Sequence, residues 1–321
     1  MTILLQTIRR RRMTLTFLLL LVAAAAILPG CASFYAERKA PPLGRFVEAD
    51  GVRLHVVEAG PQDAPAVVLI HGASVNLRDM KISLGDALAE RYRVVLIDRP
   101  GRGYSQRPRD GWRLDRQAAL VKGALDALGV ERPIVVGQSF GGAVALAYAL
   151  QYQDETAGLV LLAPVSHEWP GGVAWYNKAS GWPVAGVLFR RFVLPLYAPL
   201  AVNGGVAESF APDEPPPNYA DEAGLALLFR PGDFRANAED LRRLKPQIVA
   251  MQSRYGALRL PVTIVTGAAD ATVSPRRHSK ALAAEVPHAR LAVLPDTGHA
   301  LHHAETARIV ALIDEMAADL R

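Results

Sequence analysis

With 321 residues, 50% of them hydrophobic and no low-complexity tract, the chain can bury one large core or two modest ones and does not read as disordered. Its formal charge of +5 is local: four of the 36 basic residues are Arg9 to Arg12, and without them 32 face 31 acids. A body so near neutrality gives no basis for nucleic-acid or anionic-surface binding. One cysteine, Cys31, excludes an internal disulfide.

The basic run precedes an uncharged, mostly apolar stretch at residues 13–28, then Leu28-Pro29-Gly30-Cys31. That order is the n-region, h-region and small-residue site of an export signal. It resembles a bacterial lipoprotein signal, in which the cysteine is lipidated and becomes the new N-terminus; Pro29 departs from that box. As a helix the apolar stretch would span about 24 Å against a hydrocarbon core of about 30 Å. An uncleaved signal anchor and a twin-arginine signal are the alternatives. All three put the body outside the cytoplasm, in the cell envelope or secreted, with the membrane as a partner through the N-terminus. Residues 1–30 are therefore expected to be signal or anchor, Cys31 the lipidation site, and residues 31–45 a polar, proline-containing tether. Ala32 and Ser33 carry no acidic retention signal, which favours an outer membrane.

Residues 46–49 and 54–59 read as two strands around an Asp50-Gly51 turn. Residues 67–70 and 93–97 are short apolar runs, typical of strands buried on both faces. The first ends in His71-Gly72-Ala73-Ser74 and the second in the turn-rich Asp98-Arg99-Pro100-Gly101-Arg102-Gly103-Tyr104-Ser105. Leu114, Ala118, Val121, Leu125 and Leu128 recur at helical spacing.

Next comes Ile134-Val135-Val136-Gly137-Gln138-Ser139-Phe140-Gly141-Gly142, three β-favouring residues entering Gly-x-Ser-x-Gly, with an alanine-rich segment behind. This is strand, sharp turn, helix. The turn strains Ser139, flanking glycines relieve clashes, and the hydroxyl is presented beside the Phe140 N–H and the positive helix end. Residues 159–163 form another buried strand. Strand and helix alternate to this point, which calls for a parallel sheet covered on both faces.

The alternation stops over residues 165–246, where Trp169, Trp175 and Trp182 join Phe189, Phe192, Tyr197, Phe210 and Pro215-Pro216-Pro217. An inserted, mainly helical lid is expected there. Its aromatics read first as lid core, and second as the wall of a pocket for an apolar acyl or alcohol group. The sheet pattern resumes at residues 262–266 and 290–294, and a final amphipathic helix carries Ile309, Leu312, Ile313, Met316 and Leu320.

A serine hydroxyl needs a base, and the base a carboxylate to orient it. The strand at 262–266 runs into Asp270, and that at 290–294 into Asp296-Thr297-Gly298-His299. The chain order Ser139, Asp270, His299 suits an open parallel sheet. Asp296 is the competing carboxylate, but it sits too close before His299 to lie on another strand and reads as a turn residue.

These blocks, with His71-Gly72 and Asp98 through Ser105, make the chain similar to α/β-hydrolase-fold enzymes of the lid-bearing, serine-nucleophile branch. The resemblance covers residues 46–321 apart from the lid. It implies a mostly parallel eight-stranded sheet flanked by helices, with residues 46–164 and 247–321 as the core. It also implies that Ser139 is the nucleophile, His299 the general base and then acid, Asp270 its orienter, and the N–H groups of Ala73 and Phe140 the oxyanion hole. Gln138 departs from the histidine many relatives carry there. A serine at the nucleophile position argues against dehalogenase and epoxide-hydrolase chemistry, where relatives use aspartate.

The expected activity is hydrolysis of a small-molecule carboxylic ester without a cofactor. Cleavage of a C–C, lactone or thioester bond, or perhydrolysis, on the same residues is the alternative, and a non-catalytic envelope binding protein is the rival. His71 and Asp98 read as loop braces. His299, His302 and His303 have helical spacing for a metal, but nothing else supports one and none is expected. Gly101-Arg102-Gly103 lacks the third glycine of a dinucleotide loop. Oligomeric state is not legible.

Overall fold

The computed structural model describes residues 2–320, with no side-chain description for several N-terminal residues, among them 18–29, or for 198 and 199. Eight strands form one sheet in the order β1-β2-β4-β3-β5-β6-β7-β8. They are β1 Arg45–Ala49, β2 Val52–Ala59, β3 Ala66–Ile70, β4 Arg93–Ile97, β5 Ile134–Gln138, β6 Gly158–Leu162, β7 Val262–Gly267 and β8 Arg290–Leu294. β1 and β2 form a hairpin whose turn residues, Asp50 at φ 47° and Gly51 at φ 70°, are the types that accept left-handed backbone. β2 is antiparallel to β4, and β3 through β8 pair in parallel. The mostly parallel, helix-flanked sheet implied by the sequence is present.

Period-two alternation sends the strands' side chains into two cores. Val68, Ile70, Val95, Ile97 and Val135 pack on one face with the helices Leu114–Ala127 and Phe140–Tyr152. Val67, Leu69, Val94, Leu96 and Val136 pack on the other with the helix Thr306–Asp319 and with Leu77, Met80, Leu84 and Leu88. Each such side chain contributes about 1.5–3 kcal/mol by leaving water. The helical stretch holding Leu77 to Leu88 adds to the predicted elements, and its apolar residues recur at helical spacing.

Between β6 and β7 the chain makes a helical insertion, with Leu194–Phe210 and Pro231–Gln252 its longest helices. Pro231 opens the latter, where its missing N–H costs nothing. That helix runs past the boundary at residue 246 to Gln252. Phe189 and Phe210 are buried in two small cores, whereas Trp175 and Trp182 are 59% and 60% exposed.

The tether reading of residues 31–45 needs correction. A helix, Thr2–Lys39, continues through residues 32–39, and the chain then docks on the body. Ala36 and Ala40 are buried beside Leu227, Glu37 pairs with Arg230 at 3.0 Å, and Tyr104 Oη donates to the Ala40 carbonyl at 2.6 Å. The centre of the expected h-region lies outside the described side chains. Among the described residues no single helix is long and apolar enough to cross a membrane.

Candidate active site

β5 ends at Gln138, and Ser139 turns the chain into the helix Phe140–Tyr152 with φ 54° and ψ −114°. A side chain with a Cβ rarely adopts that backbone. Neighbouring glycines make the turn possible. A Cβ on Gly137 would meet the Gly141 carbonyl, and one on Gly141 would collide with the carbonyls of Ile70 and His71.

Two loops from distant strand ends converge on this elbow. His299 Nε2 lies 3.0 Å from Ser139 Oγ, and His299 Nδ1 lies 2.8 Å from Asp270 Oδ2. The other carboxylate oxygen of Asp270 accepts the N–H groups of Thr272 and Val273, both at 2.8 Å. A carboxylate so held accepts a hydrogen bond from the Nδ1–H of His299, fixing the tautomer that leaves the Nε2 lone pair toward the serine hydroxyl. All three residues are buried, at 8%, 5% and 7% exposure for Ser139, Asp270 and His299. Asp296 is exposed, at φ 51° in the turn before His299. Gln138, marked in the sequence only as a departure, touches His299: its Nε2 is 3.4 Å from both His299 Nε2 and the His299 carbonyl.

The turn after β3 stands against Ser139, since a Cβ on Gly72 would lie 3.3 Å from the serine Cβ. Among the described residues the N–H groups of Ala73 and Phe140 have no hydrogen-bond partner. Phe140 is the first residue of its helix, where an N–H has no intrahelical acceptor. His71 braces this turn. Its Nδ1 donates to the Gly72 carbonyl at 2.9 Å, and its Nε2 accepts the Arg99 N–H at 3.0 Å. Burial, helped by Arg99, pushes the imidazole down to about 3, so it is neutral and fixed in one tautomer. Asp98 braces the next loop, accepting from the N–H groups of Leu77 and Tyr104 at 2.9 and 3.0 Å and pairing with His55 at 2.7 Å.

The three C-terminal histidines do not form one cluster. His299 faces Ser139, whereas His302 and His303 each place Nε2 2.9 Å from a different oxygen of Asp79. Tyr219 Oη, from the insertion, donates to the same carboxylate at 2.6 Å. Burial raises the Asp79 carboxyl, but His302 and His303 outweigh it and hold it well below the ordinary carboxylate range. The ligand-type atoms of Asp79, His302 and His303 all lie within 4.8 Å of one another. The 2.9 Å contacts are hydrogen-bond lengths, tighter than the about 3.3 Å edge of a tetrahedron whose nitrogen and oxygen ligands sit about 2.0–2.1 Å from zinc. We read the group as a buried carboxylate satisfied by three donors. A cavity of about 430 Å³ lies at the opposite ends of the strands, beside Arg93, Glu131 and Leu320, and contains none of this chemistry.

A family model described as "alpha/beta hydrolase fold" matches residues 65–182. The chain is 29% identical over 303 residues to the 2-hydroxymuconate semialdehyde hydrolase of Pseudomonas putida, covering 88% of this chain and 97% of that protein. It is 30% identical over 267 residues to the 2-hydroxy-6-oxo-6-phenylhexa-2,4-dienoate hydrolase of Burkholderia cepacia, covering 77% and 85%. Among solved structures, the enol-lactonase of Burkholderia xenovorans LB400 superposes with a TM-score of 0.70 at 19% identity, covering 85% of this chain and 100% of that one.

Proposed function

Because this chain belongs to the alpha/beta hydrolase fold family and two of its relatives are named as hydrolases, we propose that it is a serine hydrolase acting on small-molecule carboxylic esters. The observation that carries this reading is the relay from Asp270 through His299 to Ser139, at 2.8 and 3.0 Å. In the proposed cycle Ser139 Oγ attacks the carbonyl carbon while its proton passes to His299 Nε2. The tetrahedral oxyanion is held by the N–H groups of Ala73 and Phe140, which have no other partner among the described residues. His299 returns the proton to the leaving alkoxide, and the alcohol departs. Water then attacks the acyl-enzyme with its proton going to His299, and the acid is released with the serine restored. These steps use no group beyond those described.

We take the helical insertion to be a lid, with an apolar acyl or alcohol group as its cargo. The aromatic composition of residues 165–246, with Trp169, Trp175 and Trp182, supports that preference. The test is labelling by a fluorophosphonate probe together with ester turnover, both of which should vanish in Ser139→Ala. An unlabelled wild-type protein would instead favour the non-catalytic binding reading.

The names of the Pseudomonas putida and Burkholderia cepacia relatives denote substrates without an ester group, which keeps C–C bond hydrolysis as a second reading on the same residues. Such cleavage must also stabilise a carbon leaving group. A panel of short and long acyl esters, lactones, thioesters and vinylogous diketones, compared by kcat/KM, separates the two.

We place the protein in the envelope, anchored through its N-terminus, with Cys31 as the lipidated residue. Supporting this are the order of arginines, apolar stretch and cysteine, and an exposed Cys31. Mass spectrometry of the mature N-terminus and detergent partitioning of Cys31→Ala test it; a native protein that begins at Met1 and stays in the aqueous phase refutes the anchor.

A further inference from the structure

The insertion helix Pro231–Gln252 buries polar side chains where an amphipathic helix would bury apolar ones. Asp233, Asn237 and Asp240 are 5%, 2% and 0% exposed, and their spacing puts them on one face. Polar groups so buried need partners. Apart from Arg230, which caps the same helix and pairs with Asp233 at 3.1 Å, the partners come from the loops after β3 and β4. Asn237 Oδ1 accepts the Ser74 N–H at 2.8 Å. Asp233 pairs with Arg102, whose Nη2 donates to the Val75 carbonyl at 3.0 Å. Asp240 holds Arg99 at 2.9 Å and Arg107 at 2.7 Å.

Of these, Arg99 reaches the residues beside Ser139. Its side chain is 1% exposed, with Nε donating to the His71 carbonyl at 3.0 Å and Nη2 to the Gly72 carbonyl at 2.9 Å. A trans peptide is planar, with C=O and N–H pointing opposite ways. Holding the Gly72 oxygen on Arg99 therefore turns the Ala73 N–H away from Arg99 and leaves it free to donate. The guanidinium carbon of Arg99 also stands 4.3 Å from the Phe140 ring centroid, an attractive placement that fixes that residue too. One side chain thus holds the peptide group that carries the Ala73 N–H and also contacts the ring of Phe140.

Resting on the serine-hydrolase reading, we infer that Arg99 is a positioning residue for both oxyanion donors and is anchored through Asp240 to the helical insertion. Seating of the insertion helix and alignment of the oxyanion hole are then a single event. Neither the Gly-x-Ser-x-Gly elbow nor the triad carries this coupling.

The test compares Arg99→Lys, Arg99→Met and Asp240→Asn with wild type in ester turnover and in inhibition by an alkyl boronic acid. That inhibitor forms a tetrahedral anion on the seryl oxygen and so reads oxyanion stabilisation. Arg107 keeps Asp240 partnered in the Arg99 variants, and lysine retains the charge but cannot serve two carbonyls and a carboxylate from one planar fork. The expected result is a kcat lower by about 10- to 10²-fold, short of the 10²–10³ for outright loss of a donor. Boronate affinity should fall by the same factor, with KM within about twofold. A raised KM at unchanged kcat overturns the inference, as does wild-type kcat and boronate affinity in Arg99→Lys beside an inactive Ser139→Ala. A fully active Ser139→Ala removes the serine reading itself, which separates the two failures.

Discussion

Replacing Asp270 by asparagine tests, in one atom, how the proposed base His299 is oriented. In the native site one carboxylate oxygen faces His299 Nδ1 at 2.8 Å and the other accepts two backbone N–H groups, of Thr272 and Val273, at 2.8 Å each. Asparagine has one oxygen and one NH2. Turning the NH2 toward the two backbone N–H groups would strand both buried donors, at about 1–3 kcal/mol each. The amide oxygen therefore stays with the backbone, and the NH2 faces His299. Nδ1 must then accept, so the ring proton moves to Nε2, which faces Ser139 Oγ at 3.0 Å. A protonated Nε2 cannot take the serine proton. The same substitution in the handling of a chymotrypsin-type triad lowers kcat about 10⁴-fold, equivalent to about 5.4 kcal/mol at 1.36 kcal/mol per decade. We expect a loss of that order for Asp270→Asn, with a cooperative melt retained. Asp296→Asn should stay within about twofold of wild type, because Asp296 is exposed and asparagine accepts its φ of 51°. Steady-state ester hydrolysis of both variants at neutral pH decides it. A kcat within tenfold of wild type for Asp270→Asn, or a collapse in Asp296→Asn, would refute the reasoning.

Stability should fall in mild acid. Burial pushes His71 down to about 3 and His278 to about 4, whereas an unfolded histidine titrates near about 6.5. Between those values the unfolded chain binds protons that the folded one does not, so the folded state loses ground as pH falls through about 6.5 and keeps its full margin above it. The two residues together predict a loss of about 3 kcal/mol from pH 7.5 to 5.5, readable as a shift in urea midpoint; an unmoved midpoint contradicts it. Tyr219→Phe removes one of three donors to the buried Asp79 carboxylate, and should cost about 1.5–3 kcal/mol, as for a hydrogen bond to a charged group. Chemical denaturation measures it, and a change under about 0.5 kcal/mol would mean that Tyr219 is not needed to satisfy Asp79.

What the chain dictates locally could be read from its residues. Apolar runs of five, glycines around Ser139 and turn residues at Asp50-Gly51 act through sterics and burial over a few positions, so strand ends, elbow and hairpin were legible in advance. The same locality exposed Asp270 and His299, because each follows a strand whose end faces the site. Choosing Asp270 over Asp296 by contact required the β7–β8 pairing, which places the Asp270 loop beside the His299 loop. Tertiary structure alone decided the rest. The polar stripe of Asp233, Asn237 and Asp240 looks in sequence like a solvated helix face, and only the approach of Arg99, Arg102 and Ser74 from loops more than 130 residues away turns it inward. Residues 36–40 likewise carry the composition of a linker, and are buried only because Leu227 and Tyr104 are brought against them. Short-range backbone preferences are written in neighbouring residues, whereas the partner of a buried charge is set by which loops the sheet order makes adjacent.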